Sequence, residues 1–155
     1  GGLPGKPTET GLRADAQAAL DIAQGLGWPA SNTIITGHSL GGALAFHALH
    51  DQGQTARGAI IMSTFTSLPA MAGLAGWLMA DQFDNLALAP QTSVPVAWVH
   101  GTRDRLIPIK HGQRLFSALP TSTPKTFIPI DVPHAAEHRT YQTAMLQAMQ
   151  WHQAR

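Results

Sequence analysis

A chain of 155 residues is long enough to bury a sizeable core, and 44% apolar residues place it among ordinary globular sequences rather than disordered ones. Charged residues make up only 12%, the formal net charge is +1, and the Lys and Arg residues are scattered. No basic stripe for a nucleic acid is visible. The absence of cysteine removes disulfides, thiolate catalysis and Cys-ligated zinc. No transmembrane run or signal-peptide layout is present, and the chain opens on Gly1-Gly2 without an initiator Met, so localisation is not legible from this end.

In chain order, Gly1 to Thr10 reads as a Gly/Pro-rich loop, with Thr10 as the cap of a helix carrying Leu12, Ala16, Ala19, Leu20, Ala23 and Leu26 at helical spacing. Gly27 and Pro29 stop it. Thr33 to Thr36 is a short β-branched strand, Gly37 to Gly42 a turn, and Ala43 to His50 a helix. Gly58 to Ser63 is a buried strand. The text from Thr64 to Pro90 is irregular, with Met and Leu at helical spacing between Leu68 and Met79. Val94 to His100 is a strand, Gly112 to Leu119 a helix closed by Pro120, Lys125 to Ile130 a strand, and Glu137 to Trp151 a closing helix. Strands that are apolar on both faces and alternate with helices predict one α/β domain, residues 1–155, with a mostly parallel sheet flanked by helices.

Gly37-His38-Ser39-Leu40-Gly41 spells G-x-S-x-G between a strand and a helix, the context this nucleophile turn requires. A side chain at either flanking glycine is expected to collide with the neighbouring strand and helix. The turn lifts the Ser39 hydroxyl above the sheet, and the backbone N–H of Leu40, at the helix start, is placed to stabilise an oxyanion. His38 reads as scaffolding, since adjacent side chains on this turn diverge. The bland alternative is a Gly-rich turn whose serine caps a helix.

A serine hydroxyl needs a base, and the base an orienting carboxylate, in the chain order Ser, acid, His. Asp104, just past the end of a strand, is the best acid; Asp84 and Asp131 are its rivals, and a solvated aspartate paired with Arg103 or Arg105 is the bland reading. His134, after the last strand, is the expected base, with His138 as competitor. His100 precedes Asp104 and breaks the order. His47, His50, His111 and His152 fall on helices and are expected to face solvent. His134-Ala135-Ala136-Glu137-His138 also spells H-x-x-E-H, a zinc signature, but Pro133 precedes it and no acidic third ligand follows Glu137. The expected site therefore needs no metal and no organic cofactor.

At this point the sequence resembles the α/β-hydrolase superfamily, and within it the membrane-associated serine hydrolases of the Bem46-like and ABHD-type branch. Besides the elbow, the likeness rests on Gly5-Lys6-Pro7-Thr8-Glu9 with Gly11-Leu12 and Asp15-Ala16, and on Thr64-Phe65-Thr66-Ser67 with Met71-Ala72. It rests also on Phe83-Asp84-Asn85, Val94-Pro95-Val96 and His100-Gly101-Thr102-Arg103-Asp104. The one departure is Val132-Pro133, where the group usually has glycine before its histidine.

The resemblance implies Ser39, Asp104 and His134 as nucleophile, acid and base, and a short cap between residues 64 and 92. It implies an eight-strand fold of which this chain is the C-terminal part. The chain is then expected to be a fragment, marginally stable and prone to associate, with Thr33 to Thr36 as an exposed apolar edge. The second oxyanion donor and any membrane-attaching segment would lie upstream of Gly1. The expected activity is cleavage of a carboxylic ester or thioester, with a small-molecule or acyl substrate; a serine at the elbow argues against dehalogenase chemistry. The cap residues Phe65, Leu68, Met71, Leu74, Trp77 and Leu78 either line an acyl pocket or simply pack, with Phe65 and Met71 as the candidate substrate contacts. A related peptidase and a non-catalytic binding module are the alternatives.

Overall fold

The computed structural model describes residues 7–52, 54–72, 79–135 and 138–155, and for residue 138 only the backbone. Helix α1 (Glu9–Gly25) leads to strand β1 (Ile34–His38), helix α2 (Leu40–Asp51) and strand β2 (Gly58–Met62). Two short helices, α3 (Leu68–Ala72) and α4 (Asn85–Leu88), precede strand β3 (Val96–Gly101), helix α5 (Ile109–Ala118), strand β4 (Lys125–Ile130) and helix α6 (His138–Gln153).

The four strands form one parallel sheet in the order β1-β2-β3-β4. Its apolar text faces both ways because both faces are covered. Ile35, Ala59, Ile61, Val96 and Trp98 pack with Ala45, Phe46 and Leu49 of α2 and Leu115 of α5 on one side. Ile60, Met62, Ala97, Val99 and Ile128 pack with Ala144 and Ala148 of α6 on the other. Adjacent residues of β2 and β3 thus serve opposite cores, the two-residue period of a strand. Each buried Ile or Val contributes roughly 1.5–3 kcal/mol relative to exposure. Among the described residues, no helix is long and apolar enough to cross a membrane.

The sequence elements recur with shifted ends. Thr8, not Thr10, caps α1: its hydroxyl accepts the Gly11 N–H at 3.1 Å. The cap falls two residues earlier because Glu9 is tied down by tertiary contacts, its carboxylate accepting the N–H groups of Gln82 and Phe83. Strand β1 runs on through Gly37 and His38, because pairing with Ile61 and Met62 of β2 continues to the turn. It lies at the edge of the sheet, with Ile35 buried and Thr36 exposed. Leu74, Trp77 and Leu78 of the cap stripe, and Gly5 and Lys6 of the opening loop, lie outside the described residues.

Candidate active site

Ser39 sits between β1 and α2 at φ +56° and ψ −123°, a conformation that costs a non-glycine residue on the order of 1–3 kcal/mol. The surroundings hold it there. Its N–H donates to the Met62 carbonyl at 2.9 Å, and its own carbonyl accepts the Thr64 hydroxyl at 2.8 Å. A Cβ on Gly37 would overlap the Gly41 carbonyl, and one on Gly42 would meet Thr64 Cβ at 2.9 Å. The expected collision at Gly41 is absent: a Cβ there meets nothing within 4 Å. The close approach falls on Gly42 instead, because Gly42 is the residue that faces β2.

His134, in the loop after β4, is turned so that Nδ1 lies 2.7 Å from Asp104 Oδ2 and Nε2 lies 3.0 Å from Ser39 Oγ. With Nδ1–H donating to the carboxylate, Nε2 keeps its lone pair and accepts the serine hydroxyl. Asp104 is 5% exposed. Its other oxygen accepts the N–H groups of Leu106 and Ile107 at 3.0 and 2.8 Å, so this acid has no freedom to turn away. The three residues singled out from the sequence are therefore brought into one hydrogen-bonded chain at the carboxyl edge of the sheet.

The rival acids are engaged elsewhere. Asp84 caps α4 through the Ala87 N–H, and Asp131 pairs with Arg103 on the surface, Nε to Oδ1 2.8 Å. Arg103, one of the two partners in the bland reading of Asp104 as a solvated loop aspartate, is thus paired with Asp131 instead. The side chain of His138, with Ala136 and Glu137 of the H-x-x-E-H string, lies outside the described residues. Leu40 opens α2, directly after Ser39.

Of the two candidate substrate contacts, Phe65 is buried in a cluster with Ala43, Phe83 and Ile107, and Met71 packs against it. The space beside the histidine is lined by other residues. A cleft of about 390 Å³ is bounded by His38, Met62, His134, Ala135, Tyr141, Gln142 and Met145. A second, of about 540 Å³, is bounded by Arg103, Arg105, Leu106, Pro133, His134 and Ala135.

The sequence reading missed a support chain behind His134. The Gly101 N–H donates to Ser63 Oγ (3.4 Å), Ser63 and Tyr141 are hydroxyl to hydroxyl (3.2 Å), and the Tyr141 hydroxyl donates to the His134 carbonyl (3.2 Å). The available signal was slight: Tyr141 is the only tyrosine in the sequence and follows His134 by seven residues. His38 lines the cleft beside His134. Its ring lies 4.8 Å from that of His134, centroid to centroid, and 5.0 Å from that of Tyr141. Burial, aided by His134, pushes the His38 pKa below its ordinary value, so a neutral ring flanks the histidine.

The helical histidines expected in solvent are a correction. His47 and His152 are buried and His50 and His111 half-buried, because each turns toward a neighbour rather than outward. His152 reaches the Ala59 carbonyl at 3.0 Å, and His111 meets Thr66.

A parallel sheet whose first strand turns sharply into a helix through a left-handed serine is the core of the α/β-hydrolase fold. The chain belongs to the phospholipase/carboxylesterase family of that superfamily, whose sequence profile it matches over residues 14–154. It is 27% identical over 128 residues to the α/β-hydrolase domain-containing protein aho-3 of Caenorhabditis elegans, covering 81% of this chain and 38% of that protein. It is 26% identical to the α/β-hydrolase domain-containing protein WAV2 of Arabidopsis thaliana, covering 83% of this chain and 48% of that one. The chain thus spans less than half the length of these two relatives. Among solved structures, a monoacylglycerol lipase from Paleococcus ferrophilus superposes with a TM-score of 0.69 at 19% identity, covering 96% of this chain and 77% of the other. The esterase domain of a Rhodothermus marinus protein gives 0.69 at 18%, with 94% and 70% covered. Likeness at this level of identity speaks for the fold alone.

Proposed function

We propose that this chain carries the catalytic residues of a serine hydrolase that cleaves a carboxylic ester or thioester through an acyl-Ser39 intermediate. The observation that carries the reading is the unbroken chain from Ser39 Oγ through His134 to Asp104, with Ser39 held in a strained turn.

In the proposed reaction His134 Nε2 takes the Ser39 proton as Oγ attacks the acyl carbonyl carbon, and the C–O or C–S bond then breaks as the imidazolium protonates the leaving group. Water, deprotonated by the same nitrogen, releases the acid and restores Ser39. Asp104 holds the Nδ1–H tautomer and stabilises the imidazolium, and the Leu40 N–H, at the positive end of α2, faces the developing oxyanion. The apolar side of the cleft beside His134, with Met62 and Met145, is the candidate acyl site in place of Phe65 and Met71.

The test is labelling by a fluorophosphonate probe, which reacts with an activated serine. Wild type is expected to label and Ser39→Ala to be silent. A folded protein that does not label, or a mutant that labels equally, would sink the hydrolase reading. Turnover of a chromogenic ester against a peptide amide then separates esterase from peptidase.

A further inference from the structure

Between the end of β2 and helix α5 lies a cleft of about 320 Å³, lined by Thr66, Ala70, Lys110, His111 and Arg114. Its inner wall is built: Thr66 is 3% exposed, and its N–H and hydroxyl face His111 Nδ1 at 3.4 and 3.1 Å. An Nδ1 that accepts the Thr66 N–H carries no proton, so the neutral ring holds its proton at Nε2, as a donor.

The charges around this cleft are of one sign. Lys110 and Arg114 stand one turn apart on the same face of α5, and among the described residues neither has an ion pair. The first turn of α5 holds no acidic residue. Like charges one turn apart repel, and Lys110 also lies where the helix's free N–H groups already create a positive potential. Burial, then Lys110, His100 and Arg114, depress the pKa of His111, and no carboxylate acts against them. This concentration of charge is uncompensated by the fold, and an anion would compensate it.

We propose that this cleft is a binding subsite for a phosphate group. A phosphate offers acceptors in several directions, which suits an ammonium point charge, a guanidinium fork and an imidazole N–H better than a planar carboxylate does. Its two walls are continuous in sequence with segments that hold the candidate active site. Thr66 is two residues beyond Thr64, which holds the Ser39 carbonyl, and α5 starts two residues after Ile107, whose N–H binds Asp104. As a substrate subsite the proposal rests on the hydrolase reading; as a phosphate site it does not.

The first arm titrates the intact protein with inorganic phosphate by calorimetry at constant ionic strength, wild type beside the double variant Lys110→Gln, Arg114→Gln. Saturable binding by wild type, weakened by about tenfold or more in the variant, is the expected result. Both replaced side chains are exposed, and removing cations from this end of α5 is expected not to lower the thermal midpoint. No saturable binding, or equal binding by a folded variant, overturns the proposal.

The second arm compares hydrolysis of an acylglycerol phosphate with that of the matching monoacylglycerol. A kcat/KM preference of about tenfold for the phosphate-bearing ester, lost in the double variant while the neutral ester is unaffected, assigns the phosphate to the substrate. Phosphate binding without that preference assigns the site to free phosphate. Phosphate binding with neither ester cleaved leaves the subsite standing and removes the hydrolase reading.

Discussion

Three buried histidines are expected to make the fold sensitive to mild acid. His47 is 6% exposed, His100 0% and His152 3%, and burial drives the pKa of each below the ordinary 6.5. His100 donates from Nε2 to the Ile107 carbonyl at 2.8 Å, and its buried Nδ1 has no partner among the described residues. A second proton there would be placed in a dry site. Asp104 Oδ2, at 3.9 Å, favours the charged ring but does not outweigh burial. His152 is bound to the Ala59 carbonyl, and Arg57 and Arg155 further disfavour its charged form.

The unfolded chain takes up these protons at a pH near 6.5, the native chain only at lower pH, so acid favours the unfolded state. The contribution of these groups is expected to be fully present well above pH 6.5 and to be lost as the pH falls through and below it. Each ring contributes at most about 1.4 kcal/mol per pH unit, so three would remove up to about 4 kcal/mol between about pH 7.5 and about pH 5.5. That is a large part of the roughly 5–15 kcal/mol that holds a domain together. Urea unfolding followed by tryptophan fluorescence, with Trp98 fully buried as reporter, measures it directly. The variant His152→Gln, which keeps a donor for the Ala59 carbonyl, is expected to lose about a third of the pH dependence. An unfolding free energy that is unchanged across this range would refute the reasoning.

Tyr141→Phe removes the donor to the His134 carbonyl, about 0.5–1.5 kcal/mol for a net hydrogen bond, and should lower kcat several-fold with KM little changed in an ester assay. Asp104→Asn should abolish turnover, by about four orders of magnitude, through loss of the correct tautomer, whereas Asp131→Asn, which touches only the exposed contacts to Thr102 and Arg103, should retain it in the same assay. Gly41→Ala adds a methyl group in open space within α2 and is expected to stabilise by up to about 1 kcal/mol in a thermal melt. Gly37→Ala would drive its Cβ into the Gly41 carbonyl and should leave little soluble folded protein.

What was legible in the sequence follows from what local pattern encodes. The period of the strands, the Gly-Pro stops and the chain order of serine, acid and base are local or ordinal properties, and they located four strands and the three residues that meet. The ends of elements were less legible because tertiary contacts set them: Glu9 anchors α1 early, and β2 draws β1 out to His38. The helical histidines were misjudged because helix position alone does not say which face is covered, and His152 lies under β2 only once α6 is laid across the sheet. Phe65 looked like a pocket residue because an aromatic near a cap reads the same whether it lines a cavity or closes a core. Tyr141 and Ser63 carry no motif, since their role exists only when Gly101, Ser63 and His134 converge.

The same convergence explains why the strain at Ser39 points to function rather than to accident. A serine at φ +56° could relax into an ordinary turn if only its own torsions were at stake. Two hydrogen bonds, from its N–H to the Met62 carbonyl and from the Thr64 hydroxyl to its own carbonyl, fix both sides of it, and two glycines with no room for a Cβ let β1, α2 and β2 approach closely enough to make those bonds. Four separate elements of sequence are spent on one unfavourable conformation, and its structural product is the placing of Oγ 3.0 Å from His134. A helix cap needs none of this: the Ser39 side chain makes no capping hydrogen bond to α2, whereas Thr8 caps α1 without left-handed backbone. The turn is therefore organised around the serine hydroxyl, and the helix that follows it is positioned as a consequence.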